Sequence, residues 1–193
     1  MAKPFPASGK YSKKVFLLHV GRPNVLNRER FLERVGAILD AKMLTNDGPM
    51  VREFESAFCD LLKVKHCLAF SNATVAIELL VEELGIKGEV IVPSFTFVAT
   101  AHAVKRAGAT PVFCDLSRDN LTGLISPEDV EKLISERTQA IMPVNVYGNI
   151  CDVEGFQKLA DKYNLQLIYD SAHVTGCKYR GQYVGSFGRA EVF

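Results

Sequence analysis

The chain has 193 residues, is 48% hydrophobic and 23% charged, and carries a formal net charge of +1 at neutral pH. Those proportions are those of a globular domain with a sizeable core, and so small a charge excludes a global field for nucleic acid or anionic lipid. No stretch approaches the ~20 apolar residues of a membrane span, and Met1-Ala2-Lys3-Pro4-Phe5-Pro6 lacks the apolar run of a signal peptide, so a soluble cytoplasmic protein is expected.

Residues 1–14 are rich in Pro, Lys and Ser without periodicity and read as a mobile N-terminal arm, with the folded part spanning 15–193. Phe31, Leu32, Val35, Ile38 and Leu39 recur at helical spacing and predict a helix over 28–43. Thr45-Asn46-Asp47-Gly48-Pro49 is loop punctuation, and a second amphipathic helix runs through Val51, Phe54, Phe58, Leu61 and Leu62. Short apolar runs then alternate with helical segments. Strands are predicted at 66–70, 89–92, 111–115, 140–144 and 166–170, and helices at 73–84, 97–107, 127–135 and 153–163. Such alternation requires crossover connections, hence an α/β fold with a mainly parallel sheet and helices on both faces. Ala190-Glu191-Val192-Phe193 reads as the start of another strand, which suggests a truncated domain.

The five cysteines, Cys59, Cys67, Cys114, Cys151 and Cys177, form an odd set without a CxxC pair, as expected of reduced thiols. Neither they nor the four histidines show metal-ligand spacing, and no metal site is expected.

Ligands of a parallel sheet collect at the carboxyl ends of its strands. Three loops there carry candidate chemistry. Ser71-Asn72-Ala73-Thr74 opens a helix, where free N–H groups and the positive dipole end suit a phosphate; an ordinary capped helix start is the alternative. Pro93-Ser94-Phe95-Thr96-Phe97 brings an aromatic that either stacks on a flat ring or belongs to the core. Asp170-Ser171-Ala172-His173 places a carboxylate at a strand end, where it can meet a protonated ring nitrogen. His173 would then bond a ring oxygen or hold Asp170; the plainer reading is a capping Asp and a surface His. Phosphate cradle, stacking aromatic and pyridinium carboxylate, in that order, describe the large domain of a fold-type I pyridoxal-phosphate (PLP) enzyme.

The wording of these segments resembles the DegT/DnrJ/EryC1/StrS family of nucleotide-sugar aminotransferases. The resemblance also rests on Glu89-Val90-Ile91-Val92-Pro93, Gly108-Ala109-Thr110-Pro111-Val112-Phe113-Cys114-Asp115 and Pro143-Val144-Asn145-Val146-Tyr147-Gly148. It implies that 15–193 is an incomplete PLP-binding large domain. Ala73 and Thr74 match the phosphate-binding positions, Phe97 the stacking position, Asp170 the pyridine-nitrogen partner and His173 the position beside the cofactor. Asn145 departs from the family's usual His and is read as structural support. The Schiff-base lysine is expected beyond Phe193, so no catalytic residue is assigned; Lys178, the nearby candidate, reads as a solvated hairpin residue.

The resemblance implies transfer of an amino group, usually from glutamate, to a nucleotide-linked 4-keto-6-deoxy sugar, by a homodimer. Two alternatives stay open: a pyridoxamine-phosphate-dependent sugar dehydratase relative, and a non-catalytic regulatory remnant of the fold. A nicotinamide-binding Rossmann domain is excluded, because no GxGxxG joins a first strand to its helix.

Overall fold

The computed structural model describes residues 27–117 and 122–193. The arm expected at 1–14 lies outside them. The described residues divide into two units, one ending at Asn46 and one from Asp47 to Phe193. Within the first, α1 (Arg28–Ala41) is capped by Asn27, whose side chain accepts from the Arg30 N–H, and Lys42 closes it in the left-handed conformation.

The second unit opens on α2 (Pro49–Leu62). Gly48 precedes it and Pro49 supplies a first helical residue whose missing N–H costs nothing there. There follow α3 (Ala73–Glu83), β1 (Glu89–Pro93), α4 (Ala99–Arg106), β2 (Thr110–Cys114), α5 (Pro127–Glu131), β3 (Thr138–Ile141), α6 (Val153–Tyr163) and β4 (Gln166–Asp170). The hairpin β5 (Lys178–Tyr179)–β6 (Gln182–Tyr183) and β7 (Ala190–Val192) complete the order. Five strands form one parallel sheet, in the order β2-β1-β3-β4-β7.

Successive strand residues face opposite sides, and here both sides are covered. Val90, Val92, Ala140, Met142 and Ile168 pack with Ile77 and Val81 of α3 and Ala103 and Val104 of α4. Ile91, Ile141, Leu167 and Tyr169 pack with Val130 of α5 and Phe156, Leu159 and Ala160 of α6. Each fully buried aliphatic side chain contributes about 1.5–3 kcal/mol, so the two-sided core is what holds the strand ends in place.

The predicted strand at 66–70 is not formed. No strand lies beside it among the described residues; Leu68 and Phe70 are exposed, and the Ala69 N–H is taken by the Glu55 carboxylate at 2.8 Å. An apolar run becomes a strand only when a neighbouring strand pairs with its backbone. β3 begins and ends earlier than expected, because Pro143 has no N–H to continue the ladder. Pairing resumes only as a single bridge between Val144 and Asp170. The last three residues but one form the expected strand, with Asp170 opposite Val192.

Candidate functional site

Because the sheet is parallel, Pro93, Asp170 and Val192 all finish at one edge. The loops that leave it, with the start of α3, line a cavity of about 250 Å³. Ala73, Thr74, Phe97, Asp170 and His173 all line it, so the structure brings every sequence-predicted site residue together. Asn72, Ile77, Thr96, Ala99, Val144 and Ala172 complete the wall.

The α3 end of the cavity is a helix N-terminus. Asn72 is extended (φ −168°, ψ 163°), and its side chain accepts from the Val75 N–H at 3.0 Å while its carbonyl accepts from Ala76. The first amides of a helix have no intrahelical acceptor. With Val75 and Ala76 satisfied through Asn72, the amides of Ala73 and Thr74 carry the unspent donors and the positive end of the dipole. A methyl at residue 73 leaves the backbone approachable, which fits a phosphate.

Phe97 stands just outside α4 and is 68% exposed, so it is not a core residue. Asp170 is 7% exposed at the end of β4. One oxygen, Oδ2, accepts from the Thr100 hydroxyl at 2.7 Å, and among the described residues Oδ1 meets only the Ala172 N–H, at 3.3 Å. Thr100, fully buried, is also 3.3 Å from the hydroxyl of Thr96. Thus the side-chain bond to the Asp170 carboxylate comes from Thr100, a residue that its sequence did not single out, and not from His173. His173 instead stacks on Tyr147 with ring centroids 5.7 Å apart, and Tyr147 lies 6.4 Å from Phe95.

Behind the cavity runs a buried polar network. Asn145 is 1% exposed; its Nδ2 donates to the Ser171 hydroxyl at 2.9 Å and its Oδ1 accepts from the Cys151 N–H at 2.8 Å. The Asn145 amide donates to the Asp170 carbonyl, also at 2.8 Å. Ser171 donates in turn to Glu191 at 3.1 Å, and the Phe187 N–H reaches the other oxygen of that carboxylate. Asn145 therefore fastens the segment that follows β3, as far as Cys151, to Asp170 and Ser171 at the end of β4. Burial raises the Glu191 carboxyl above its ordinary range, against the hydrogen bonds from Phe187 and Ser171. Burial likewise pushes the Cys114 thiol up to about 11 and the Cys151 thiol up to about 12, so neither supplies a thiolate nucleophile near neutral pH.

Lys178 is absent from the cavity wall. It is exposed on the β5–β6 hairpin, with its Nζ 4.4 Å from the Tyr183 ring centre. Among the described residues there is no metal-ligating cluster, and no helix is long and apolar enough to cross a membrane.

The sequence profile of the DegT/DnrJ/EryC1/StrS aminotransferase family matches residues 26–193. The dTDP-4-amino-4,6-dideoxy-D-glucose transaminase of Escherichia coli is 40% identical over 162 residues, which are 84% of this chain and 43% of the relative. GDP-perosamine synthase of Escherichia coli O157:H7 is 40% identical over 176 residues, 90% of this chain and 47% of that enzyme. The crystal structure of DesI in the presence of its TDP-sugar product superposes with a TM-score of 0.85 at 44% identity, covering 90% of this chain and 44% of DesI. The chain therefore spans a little under half the length of the relatives it matches.

Proposed function

The chain belongs to the DegT/DnrJ/EryC1/StrS aminotransferase family, and from that premise we propose that its cavity holds pyridoxal 5′-phosphate for amino transfer to a nucleotide-linked sugar. The observation that carries this reading is the convergence of Ala73, Thr74, Phe97, Asp170 and His173, drawn from three separate segments, on one cavity wall. The amides of Ala73 and Thr74 receive the phosphate. Phe97 lies against the ring, Asp170 faces the ring nitrogen, and His173 flanks the ring. Bound PLP supplies a protonated pyridine that draws electrons from the carbon losing or gaining its proton. The protein's part is to bind, to orient and to keep the negative charge of Asp170 opposite that nitrogen.

The substrates are read from the same family membership. The amino group passes, by way of the cofactor, from glutamate to a 4-keto-6-deoxy sugar carried on a nucleotide, in the biosynthesis of an amino sugar for polysaccharide. The relatives named above use dTDP- and GDP-linked sugars, and the nucleotide bound here is one of that class. The active assembly is a cytoplasmic homodimer: Phe97, Tyr147 and Phe95, which are 68%, 71% and 50% exposed around the cavity, form apolar surface that a second subunit covers. Lys178 takes no part. The 193 residues alone bind the cofactor without covalent attachment and do not turn over.

The test is to titrate the purified chain with PLP, repeat the titration with Asp170→Ala, and treat both with borohydride before peptide mapping. Saturable binding, weakened tenfold or more without Asp170, is the expected result, with no adduct on Lys178. Equal affinity of the two proteins, or a trapped adduct on Lys178 together with amino transfer from glutamate to a keto-sugar nucleotide, contradicts the proposal.

A further inference from the structure

The hydrogen bonds around Asp170 have a direction. A threonine hydroxyl has one proton to give and two lone pairs to receive. Thr100 Oγ1 lies 2.7 Å from Asp170 Oδ2 and 3.3 Å from Thr96 Oγ1. A carboxylate oxygen only accepts, so the Thr100 proton is committed to Asp170, and the contact between the two threonines is made by the proton of Thr96. The chain of donation runs Thr96 to Thr100 to Asp170. Thr100 is fully buried behind the cavity wall, whereas Thr96 is part of that wall.

Two consequences follow for a ligand. Asp170 is anchored through Oδ2, which leaves Oδ1, with only the 3.3 Å contact from Ala172, as the oxygen that can receive a further strong bond. Thr96, its proton turned inward, offers the cavity lone pairs alone. This part of the wall is therefore acceptor-only, and it suits a ring whose nitrogen carries a proton. We propose that Thr100 is the positioning residue for Asp170, and that with Thr96 it forms a one-way hydroxyl relay that selects a ligand with a protonated ring nitrogen. The proposal rests on the PLP reading of the cavity and adds two residues to it.

The experiment compares two ligands on the full 193-residue chain: PLP, and benzyl phosphate, which has the phosphate but no ring nitrogen. Thr100→Val keeps the shape and removes the hydroxyl. It is expected to weaken PLP about tenfold, the effect of one hydrogen bond to a charged group, and to leave benzyl phosphate unchanged. Thr100→Ser restores PLP to within about twofold of the unaltered chain, because it returns the donor. Thr96→Val, on the cavity side and independent of core packing, weakens PLP about two- to threefold and again spares benzyl phosphate; it stands in for Thr100→Val should that variant fail to fold. Equal losses for both ligands would mean a structural role and overturn the relay. So would PLP affinities that neither valine variant changes. If the unaltered chain binds neither ligand, or binds PLP equally with Asp170→Ala, the PLP reading itself falls and the relay with it.

Discussion

Replacing Asn145 by alanine is the sharpest probe of how the site is supported. The side chain is 1% exposed and serves two partners, the Cys151 N–H at 2.8 Å and the Ser171 hydroxyl at 2.9 Å. Alanine leaves the Cys151 amide without an acceptor in a buried place, a loss of about 1–3 kcal/mol. Ser171 keeps its bond to Glu191 and loses one received bond, about 0.5–1.5 kcal/mol more. The sum, about 2–4 kcal/mol, lowers the urea midpoint by about 1–2 M if unfolding changes by about 2 kcal/mol per molar urea. Urea unfolding followed by circular dichroism reads it directly. Asn145→Asp keeps the acceptor but turns the donor into a second carboxylate on a hydroxyl already given to Glu191, so it is expected to rescue little at pH 7. A midpoint for Asn145→Ala within about 0.3 M of the unaltered chain refutes the argument that this network holds the strand end.

Glu191 gives a pH test. Its raised carboxyl binds a proton more tightly folded than unfolded, so its contribution to stability is fullest at low pH. That contribution declines as pH climbs from the ordinary carboxylate value through the raised one. The stability of the unaltered chain relative to Glu191→Gln should fall across that window, and a pH-independent difference contradicts the assignment. Gly188→Ala should cost more than about 1 kcal/mol in thermal unfolding, since φ is +63° and a Cβ would sit 2.6 Å from the Leu167 carbonyl oxygen; a neutral result refutes it. Lys178→Ala should leave PLP affinity unchanged and cost less than about 1 kcal/mol, because its one described side-chain contact is an exposed cation–ring pair; a lost PLP site would make it a cofactor residue.

Much of the architecture was legible because local signals and the tertiary fold agree. Asn72, Ser126 and Asp152 cap the three helices that the spacing predicts after them, and the apolar runs at 89–92 and 166–170 lie inside buried strands. The run at 66–70 carries the same composition, but the sequence has no mark for whether a partner strand stands alongside. At the site, the five residues singled out are those whose chemistry is visible in isolation. Phe97 left two readings open, and its 68% exposure decides against the core. Thr100 was not legible. It looks like an ordinary first-turn helix residue, and its partner Asp170 is 70 positions away. Only the parallel packing of β1 against β3 and β3 against β4 brings the start of α4 to the end of β4.

The most direct measurement is the position of PLP in a crystal of this chain. The phosphate is expected within hydrogen-bond reach, ~3 Å, of the Ala73 and Thr74 amides, with the ring on Phe97 and its nitrogen on Asp170 Oδ1. A phosphate held elsewhere, or a ring nitrogen turned away from Asp170, would contradict the assignment of this cavity as the cofactor site.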